Sequence, residues 1–588
     1  MLPNLLESIG ELNPQLMREL KSCLKLRNVL IAVVVSLAVQ FWQFESIYSK
    51  LSFKICKANS HYYKEYQCLK DAAGNWSIEW SALWEELFMS LCGISILILL
   101  VGGTFLLIRD FCQEERRGTL NFIRLSPHSE KSIILGKMLG VPVLLYLLVI
   151  VAVPLHLWAG LAAAIPLGKI LLVYTIIVAS CILFYSAALL CSLIVCRCSG
   201  LMSWLGWLMP WLGSGAVLAL SFVVLYPPWL FIDYPLAWLT LFHPFDPIFY
   251  LLQYNGHEYY FPNSFQGPFW SPELGWNWYY LPVGASGLTF TGFVLLNYGL
   301  WSYWIGQGIK RCFRNSKATI LSKRQSYLLM VGLELLILGL FVRDVQRYTS
   351  NFYPESDPIE QLYSASEQLF LASNWASEQL FYLAFLNAVL VFGLIAILSP
   401  SRQVLQDWGR YRREKFSDFR DFSKNTLVQD LIWGNKSPAV VAIAINIAIA
   451  TIPLVIWSLF GPFNDQQKTQ AFVNIALFFS LMMIYGTIAQ LMLMMKTKKR
   501  VLLAIGTVVA AVFSTHVMLA MLGLKSDNHY ILGLFGLFST FPWANIENAA
   551  MKTLFLAFLG LWTFLALLNL QLIRQLRHVG ESTSKCSQ

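Results

Sequence analysis

About twelve apolar stretches run along the chain, each long enough to cross a bilayer as a helix, and they limit the possible folds more than any other feature. A transmembrane helix needs about 20 mostly apolar residues, because the hydrocarbon core is about 30 Å thick. Hydrophobic residues make up 57% of the 588 residues and charged residues only 13%, whereas about 25% of a soluble domain is charged. The sequence therefore predicts an all-α, polytopic membrane protein. The predicted spans are 28–47, 87–108, 133–159, 168–196, 201–226, 281–306, 327–343, 379–399, 437–460, 470–495, 500–523 and 552–574.

Lysine and arginine residues crowd into alternate loops between these stretches. Most of the 43 basic residues lie in the N-terminal tail or in loops such as 109–132, 307–326 and 400–436, while the loop at 227–280 has none. Basic loops remain in the cytoplasm, so the alternation predicts twelve spans with both termini in the cytoplasm. The expected location is the plasma (inner) membrane. The net charge of +10 is then a topology signal. The lipid bilayer, and not nucleic acid, is the expected partner of this surface.

The order of long and short loops repeats once along the chain. Each half shows one span, a long outer loop, a second span, a charged inner loop and four further spans. An even number of spans per half predicts two parallel six-helix repeats, although a chance division of twelve spans by two is the alternative. The predicted domains are a cytoplasmic amphipathic elbow helix at 1–27, a first half at 28–306, a cytoplasmic linker at 307–326, a second half at 327–574 and a cytoplasmic tail at 575–588.

Two cysteines, Cys56 and Cys68, share a polar loop that the topology places outside the cytoplasm. An oxidising compartment permits a disulfide between such residues. Two free thiols are the alternative. Other cysteines mostly lie in or beside apolar spans, where a thiol is usually a small buried hydrophobe.

The inner loop after the second span is the most informative polar segment. Residues Glu114–Arg117 form a dense charge cluster, Gly118 permits a sharp bend, and Leu120, Phe122 and Ile123 supply an apolar flank at helical spacing. Ser126-Pro127 then ends the element. This pattern predicts a short cytoplasmic amphipathic helix that transmits force if a soluble partner binds it; an ordinary solvated loop is the alternative.

The same segment resembles the inner loop of type-2 ABC transporter permeases. The shared pattern is the charge cluster, then Gly118-Thr119-Leu120, then Pro127 with Ser129, and finally Ile134-Leu135-Gly136-Lys137. The resemblance implies a coupling helix that docks on a separate ATP-binding cassette ATPase, which would hold the ATP and magnesium. The residues that it assigns to ATPase coupling are Glu114, Glu115, Arg116, Arg117, Gly118, Thr119, Leu120 and Ile123.

The N-terminal segment adds a second point of resemblance. Asn13-Pro14 precedes a stretch in which Leu16, Met17 and Leu20 form one apolar face, as in helices that lie in the membrane interface. Such an elbow helix is similar to the one that these permeases carry, although a solubilising tail fits the same residues. The inner loop of the second half, 400–436, has the expected position but lacks a Gly-Thr-Leu sequence. Whether it couples to the ATPase stays open.

Glu334 is the clearest ionisable residue within a predicted span, and such residues are candidates for function. It would form an intramembrane polar site, or it would pair structurally with Lys323 or Arg324. Two rival functions remain open. An ion-gradient-driven secondary transporter would use Glu334, and a membrane enzyme acting on lipid-linked substrates would use polar groups hidden in the 227–280 loop.

Several chemical motifs do not occur in the sequence. It contains no G-x-x-x-x-G-K-[ST] phosphate loop, no H-E-x-x-H and no Cys or His cluster with metal-ligand spacing. We therefore expect no enzymatic activity, no metal and no cofactor in this chain. The leading hypothesis is the membrane subunit of an ABC exporter with two fused six-span halves, whose substrate the sequence does not identify.

Overall fold

The computed structural model describes residues 10–11, 13–50, 68–70, 76–78, 80–198, 205–223, 237–253, 276–315, 318–341, 376, 380–417, 425–461, 463–497, 499–521 and 551–581. Almost all of these residues are helical. The chain divides into two compact units. The first unit comprises Met1–Ile232, Leu239–Trp276 and Pro282–Ser316, and the second comprises Asp233–Trp238, Asn277–Leu281 and Lys317–Gln588.

The first unit is built around a long central helix. This helix, α8, packs against α12 on one side and α4 on another, and its inward side chains, such as Ile170, Val173 and Ile176, are fully buried. The helices are α1 (Pro14–Cys23), α2 (Leu26–Lys50), α3 (Trp80–Leu97), α4 (Gly103–Arg117), α5 (Thr119–Leu125), α6 (Glu130–Gly140), α7 (Val143–Ala162), α8 (Leu167–Cys198), α9 (Leu205–Val223), α10 (Ala237–Thr240, whose first two residues are assigned to the second unit), α11 (Phe245–Gln253) and α12 (Gly287–Arg314).

Helices α3 and α4 form one continuous rod that carries the chain from the predicted outer side to the charged loop. A π-helical turn at Ile98–Gly102 joins them. Tyr185 Oη donates a hydrogen bond to the Leu99 carbonyl at 2.8 Å in this turn, which satisfies one of the backbone groups that the irregular turn exposes. A Cβ on Gly103 would lie 2.2 Å from Tyr185 Oη, so glycine is required for this approach.

The second unit has a comparable central helix. This helix, α18, packs against α17, α19 and α20, and most of its inward side chains are buried. The helices of this unit are α13 (Lys323–Phe341), α14 (Leu380–Leu398), α15 (Arg402–Ser417), α16 (Asn425–Trp433), α17 (Val440–Phe460), α18 (Asp465–Leu493), α19 (Arg500–Met521) and α20 (Met551–Glu581).

Within the described residues, eight helices are long and apolar enough to cross a membrane. The prediction of a polytopic, multi-pass membrane protein is confirmed at this level. Each of the twelve predicted spans overlaps a helix, but α9, α12, α13 and α19 are not among the eight, so the count of twelve and the repeat stay predictions. The eight are Leu26–Ser49, Trp80–Arg117, Val143–Ala162, Leu167–Ile194, Leu380–Leu398, Val440–Phe460, Asp465–Leu493 and Lys552–Arg577.

The structure changes three details of the predicted fold. A short antiparallel hairpin, β1 (Cys68–Lys70) with β2 (Trp76–Ile78), interrupts the all-α pattern in the loop between the first two predicted spans. The predicted span 133–159 is divided between α6 and α7 by a turn at Val141–Pro142, where proline supplies no backbone N–H for a continuous helix.

The predicted linker 307–326 is the third difference, because much of it is helical. Helix α12 continues to Arg314 and α13 begins at Lys323. Arg311 and Arg314 lie in the last turn of α12, where cationic side chains complement the helix dipole. These basic residues therefore extend the helix beyond its apolar part, whereas the sequence reading treated them only as loop charges.

Candidate coupling site

The charged loop after the second predicted span folds as a helix, a sharp bend and a second short helix. Helix α4 ends at Gly118, whose φ of 72° places it in the left-handed region. Glycine tolerates this conformation and most other residues do not. Helix α5 then runs to Leu125, and Ser126 ends it in an extended conformation. The predicted bend at Gly118 and the predicted short helix are both present.

The N-terminal helix α1 is fixed to α6 through its first residues. The Asn13 side chain accepts a hydrogen bond from the Leu16 N–H at 3.1 Å, as an N-cap does. Its Nδ2 donates to the Ser132 carbonyl on α6 at 2.7 Å. Pro14 follows at the first helical position, where its missing N–H costs nothing. One side chain therefore both starts α1 and attaches it to α6.

Two glycines let α1 lie directly on α6. A Cβ on Gly136 would be 2.9 Å from the Leu16 backbone nitrogen, and a Cβ on Gly140 would be 2.5 Å from Glu19 Cβ. Both distances are too short for real contacts, so the two backbones approach as closely as they do only because no side chains intervene. This small-x-x-x-small spacing is common where membrane helices pack tightly.

Between these glycines, Lys137 projects into a buried group of charges. Its Nζ lies 2.9 Å from Glu114 Oε2 and 3.8 Å from Glu19 Oε1, and it donates a hydrogen bond to Asp110. Arg18 completes the group, with one guanidinium nitrogen 2.6 Å from Glu114 and 2.9 Å from Glu19. These five residues, from α1, α4 and α6, are named the ion-pair cluster.

The cluster contains three carboxylates and two cations, and its central lysine side chain is fully buried. The Lys137 ammonium also lies 5.0 Å from the centre of the Phe111 ring, a favourable cation–π distance. Burial alone would lower the pKa of Arg18, but hydrogen bonds to Glu19 and Glu114 outweigh it and raise that pKa. Arg18 therefore stays charged, and each carboxylate has a cationic neighbour.

A metal ion is a second possible occupant of this group. The ligand atoms of Glu19, Asp110 and Glu114 all lie within 4.8 Å of one another, which fits the oxygen preference of divalent cations. However, Lys137 Nζ contacts all three carboxylates. Because the ammonium already occupies the position of the cation, we interpret the cluster as an ion-pair network that joins three helices.

Some residues predicted to contact an ATPase face the protein interior. Glu114 is only 9% exposed and belongs to the ion-pair cluster, and Leu120 is 2% exposed. Thr119 Oγ1 donates to the Glu114 carbonyl at 3.2 Å, and Ile123 is half-buried. In this conformation Glu114, Leu120 and Ile123 are buried or half-buried and are not the surface that α5 presents, whereas Thr119 is exposed and its hydroxyl links α5 back to α4.

Other residues of the loop are exposed. Phe122 and Leu125 are 78% and 83% exposed, and Arg116 and Arg117 are exposed beside them on the last turn of α4. These four residues are named the docking face. Glu115, by contrast, is half-buried, with its carboxylate 3.6 Å from Arg124.

Sequence reasoning did not assign Arg18, Glu19, Asp110 and Lys137 to the site. A signal was available for two of them. Asp110 and Glu114 are four residues apart on one helix face, and Lys137 follows directly on an apolar run, where an unpaired charge would be costly. The pairing itself could not be read from the sequence, because 27 residues separate Asp110 from Lys137.

The structure places Glu334 in the interior of the second unit, where it is 4% exposed. The suggested pairing with Lys323 is wrong. Lys323 Nζ instead donates to the Leu431 carbonyl, Ser437 Oγ and the Pro438 carbonyl at 2.6 to 2.9 Å, because it caps the carbonyl end of α16. Arg324 is exposed.

The possible disulfide is not tested, because Cys56 lies outside the described residues and Cys68 belongs to β1.

Loss of the Asn13 side chain tests the attachment of α1. We expect Asn13→Ala to cost about 1 kcal/mol through the lost N-cap and to speed hydrogen exchange of the first amides of α1. Asn121→Ala, on exposed α5, is the matched control and should leave that exchange unchanged. Equal exchange rates in wild type and Asn13→Ala would contradict the attachment.

Charged groups are thus buried in each unit in a different way: the ion-pair cluster is paired, whereas the Glu334 carboxylate has no hydrogen-bond partner among the described residues. What the chain does is inferred from these two features. Comparisons of the chain with protein-family models, with curated proteins and with solved structures find no match.

Proposed function

We propose that this chain is the membrane-spanning permease subunit of an ABC exporter, with two fused six-span halves, and that a separate ATPase binds its cytoplasmic loops. The observation that carries the proposal is the docking face next to the ion-pair cluster. Two large apolar side chains on the short helix α5 and two arginines on the last turn of α4 are exposed, and a folded chain exposes such groups together mainly where a partner covers them.

The ion-pair cluster supplies a way to pass force from the docking face into the membrane helices. Helix α5 is joined to α4 at Gly118, and the ion pairs join α4 to α1 and α6. A push on α5 therefore moves the ends of three elements together. Since α1 leads into α2 and α6 leads into α7, the displacement reaches the membrane helices that follow them.

The chemistry of the docking face defines the surface that the ATPase must offer. Phe122 and Leu125 need an apolar cleft, and the exposed Arg117 needs a carboxylate at its rim. ATP and magnesium belong to that partner. Under this proposal both termini and the inner loops lie in the cytoplasm, and the second inner loop, 400–436, is the position of a second contact.

Cross-linking from the docking face tests the proposal. We expect Phe122→Cys, labelled with a photoactivatable maleimide in native membranes, to capture a P-loop ATPase that mass spectrometry identifies. Ile150→Cys is the matched control, because Ile150 is 62% exposed on the apolar helix α7 and should capture none. If the native chain purifies without a P-loop ATPase and Phe122→Cys captures none, the proposal fails.

A gradient-driven secondary transporter is the second candidate, and the buried Glu334 carboxylate favours it. The two candidates differ in their energy source. Transport that stops when ATP is removed while the ion gradient is held constant supports the ABC permease. Transport that continues without ATP and collapses with the gradient supports the secondary transporter.

A further inference from the structure

Glu334 on α13 is a buried carboxyl group that pairs with no cation among the described residues. It is 4% exposed, and neither of its carboxylate oxygens has a hydrogen-bond partner among the described residues. Its polar neighbour is Asn387 on α14, which is fully buried and close enough to interact with the carboxyl group. Two polar side chains from two helices therefore meet inside a unit that is otherwise mainly apolar.

The donors and acceptors of this pair do not balance. Asn387 Nδ2 already donates to the Ala450 carbonyl on α17 at 3.1 Å. Asn387 Oδ1 and both Glu334 oxygens have no donor in the part of the chain that the structure describes. Three oxygen acceptors are thus buried together, and leaving such groups unsatisfied costs about 1 to 3 kcal/mol each. Among the described residues the site therefore lacks a hydrogen-bond donor, and a proton bound to Glu334 would provide one.

The charged and titratable groups on the neighbouring elements do not supply that donor. Lys323 is eleven residues from Glu334, about 16 Å along the helix axis, and its ammonium is bonded to α16 and the turn after it. Helix α17 contains no titratable residue. The other titratable groups on α13 and on the described elements packed against it are Arg324 and Tyr327 on α13, Asp430 on α16, Tyr382 on α14, and Tyr279 and Tyr280 in the segment at 276–281.

Four of these groups are either bonded to other partners or exposed. Tyr279 Oη donates to the Leu335 carbonyl, Tyr327 Oη donates to the Ile432 carbonyl, and Asp430 lies 3.5 Å from Arg412. Tyr280 is 91% exposed.

We propose that Glu334 is a proton-binding site and that it holds a proton in this conformation. The carboxylate takes one proton from water to become a neutral carboxylic acid, with the Asn387 side-chain amide as its polar neighbour. This removes a buried charge, which would be far more costly than a buried neutral acid. A metal cation fits less well, since it would need more oxygen ligands than the three available here.

Protonation of Glu334 in this conformation does not depend on whether ATP or an ion gradient drives the protein.

Labelling with dicyclohexylcarbodiimide tests this site directly. The reagent partitions into apolar interiors and adds to protonated carboxyl groups, taking up the acid proton and ending as a stable N-acylurea without a leaving group. In the purified full-length protein we expect peptide mapping to find the adduct on Glu334 at neutral pH. The adduct should fall about tenfold for each pH unit above the midpoint of the titration, as the protonated fraction does.

Two variants and one ion control make the result decisive. Glu334→Gln should lose the adduct and the infrared C=O band of a buried carboxylic acid, while keeping a wild-type melting temperature because an amide replaces a neutral acid. Asp465→Asn, which removes an exposed carboxylate of the same unit, should change neither signal. Absence of both the adduct and the band in wild type overturns the proposal, and so does labelling that sodium suppresses at constant pH. Mapping of the wild-type protein needs no variant to fold.

Discussion

Replacement of Lys137 by methionine is expected to destabilise the first unit more than any other single change at the coupling site. The methionine keeps much of the side-chain volume but removes the cation that contacts Glu19, Asp110 and Glu114. Arg18 alone would then face three carboxylates. Removing one partner of a buried ion pair typically costs about 3 to 5 kcal/mol, because it leaves uncompensated buried charge. The measurement is the midpoint of thermal unfolding of the detergent-purified protein, followed by the fraction that remains monodisperse after heating.

Lys131→Met is the matched control for this result. Lys131 is an exposed lysine on the same helix, α6, so the same loss of charge should change the midpoint little, within about 0.5 kcal/mol. A Lys137→Met protein as stable as Lys131→Met would show that the cluster does not hold the three helices together.

A compensating substitution separates charge from packing. In the double variant Lys137→Met/Asp110→Asn, one unpaired carboxylate is removed together with the cation. If uncompensated negative charge causes the loss, the double variant should recover part of the stability of the single variant. If lost packing causes the destabilisation, Asp110→Asn should remove further contacts and lower the stability again. The comparison is informative because the two side chains are in contact, and the effects of substitutions at contacting residues are not additive.

The second large effect is expected from Gly140→Ala. The added Cβ would lie 2.5 Å from Glu19 Cβ, and no rotation of a side chain can relieve a contact between two Cβ atoms. Helix α1 must therefore move away from α6, which separates Glu19 from Lys137 and weakens the bond between Asn13 and Ser132. Inserting a group into a packed contact typically costs about 1 to 3 kcal/mol. We expect faster hydrogen exchange along α1 and, under the proposed function, weaker coupling of transport to ATP hydrolysis.

Gly292→Ala is the control for this substitution. A Cβ there meets no atom within 4 Å, so the change should be neutral or slightly stabilising, as glycine to alanine usually is inside a helix. Unchanged exchange of the α1 amides in Gly140→Ala would show that the close approach of α1 and α6 is not required. Comparing the two variants distinguishes a local clash from a general effect of adding a methyl group.

Much of the helical architecture could be predicted from the sequence, because its signals are local. A run of about 20 apolar residues is a membrane helix wherever it occurs, and each of the twelve predicted spans overlaps a helix of the structure. The bend at Gly118 and the end of α5 at Ser126 followed from the conformational properties of single residues. Helix ends were less predictable: α4 continues to Arg117, well past the predicted end at residue 108.

The coupling site depended on contacts between distant parts of the chain. In Glu114-Glu115-Arg116-Arg117 the sequence shows four adjacent charges, but the structure places Glu114 between the buried Lys137 and the half-exposed Arg18 and leaves the two arginines exposed. Consecutive residues on a helix point in directions about 100° apart, so neighbours in the sequence face different surroundings. Which face is buried is decided by the helix that packs there.

The same division between local and tertiary information applies to Lys137, Gly136 and Glu334. Composition alone indicated that this chain is helical and is embedded in a bilayer, because a mostly apolar surface is not soluble in water. Only the tertiary structure decided that Lys137 has three carboxylate neighbours and that neither Glu334 oxygen has a hydrogen-bond partner among the described residues. The physical reason is that the free energy of a buried charge depends on groups a few ångströms away in space, which can be a hundred residues away along the chain.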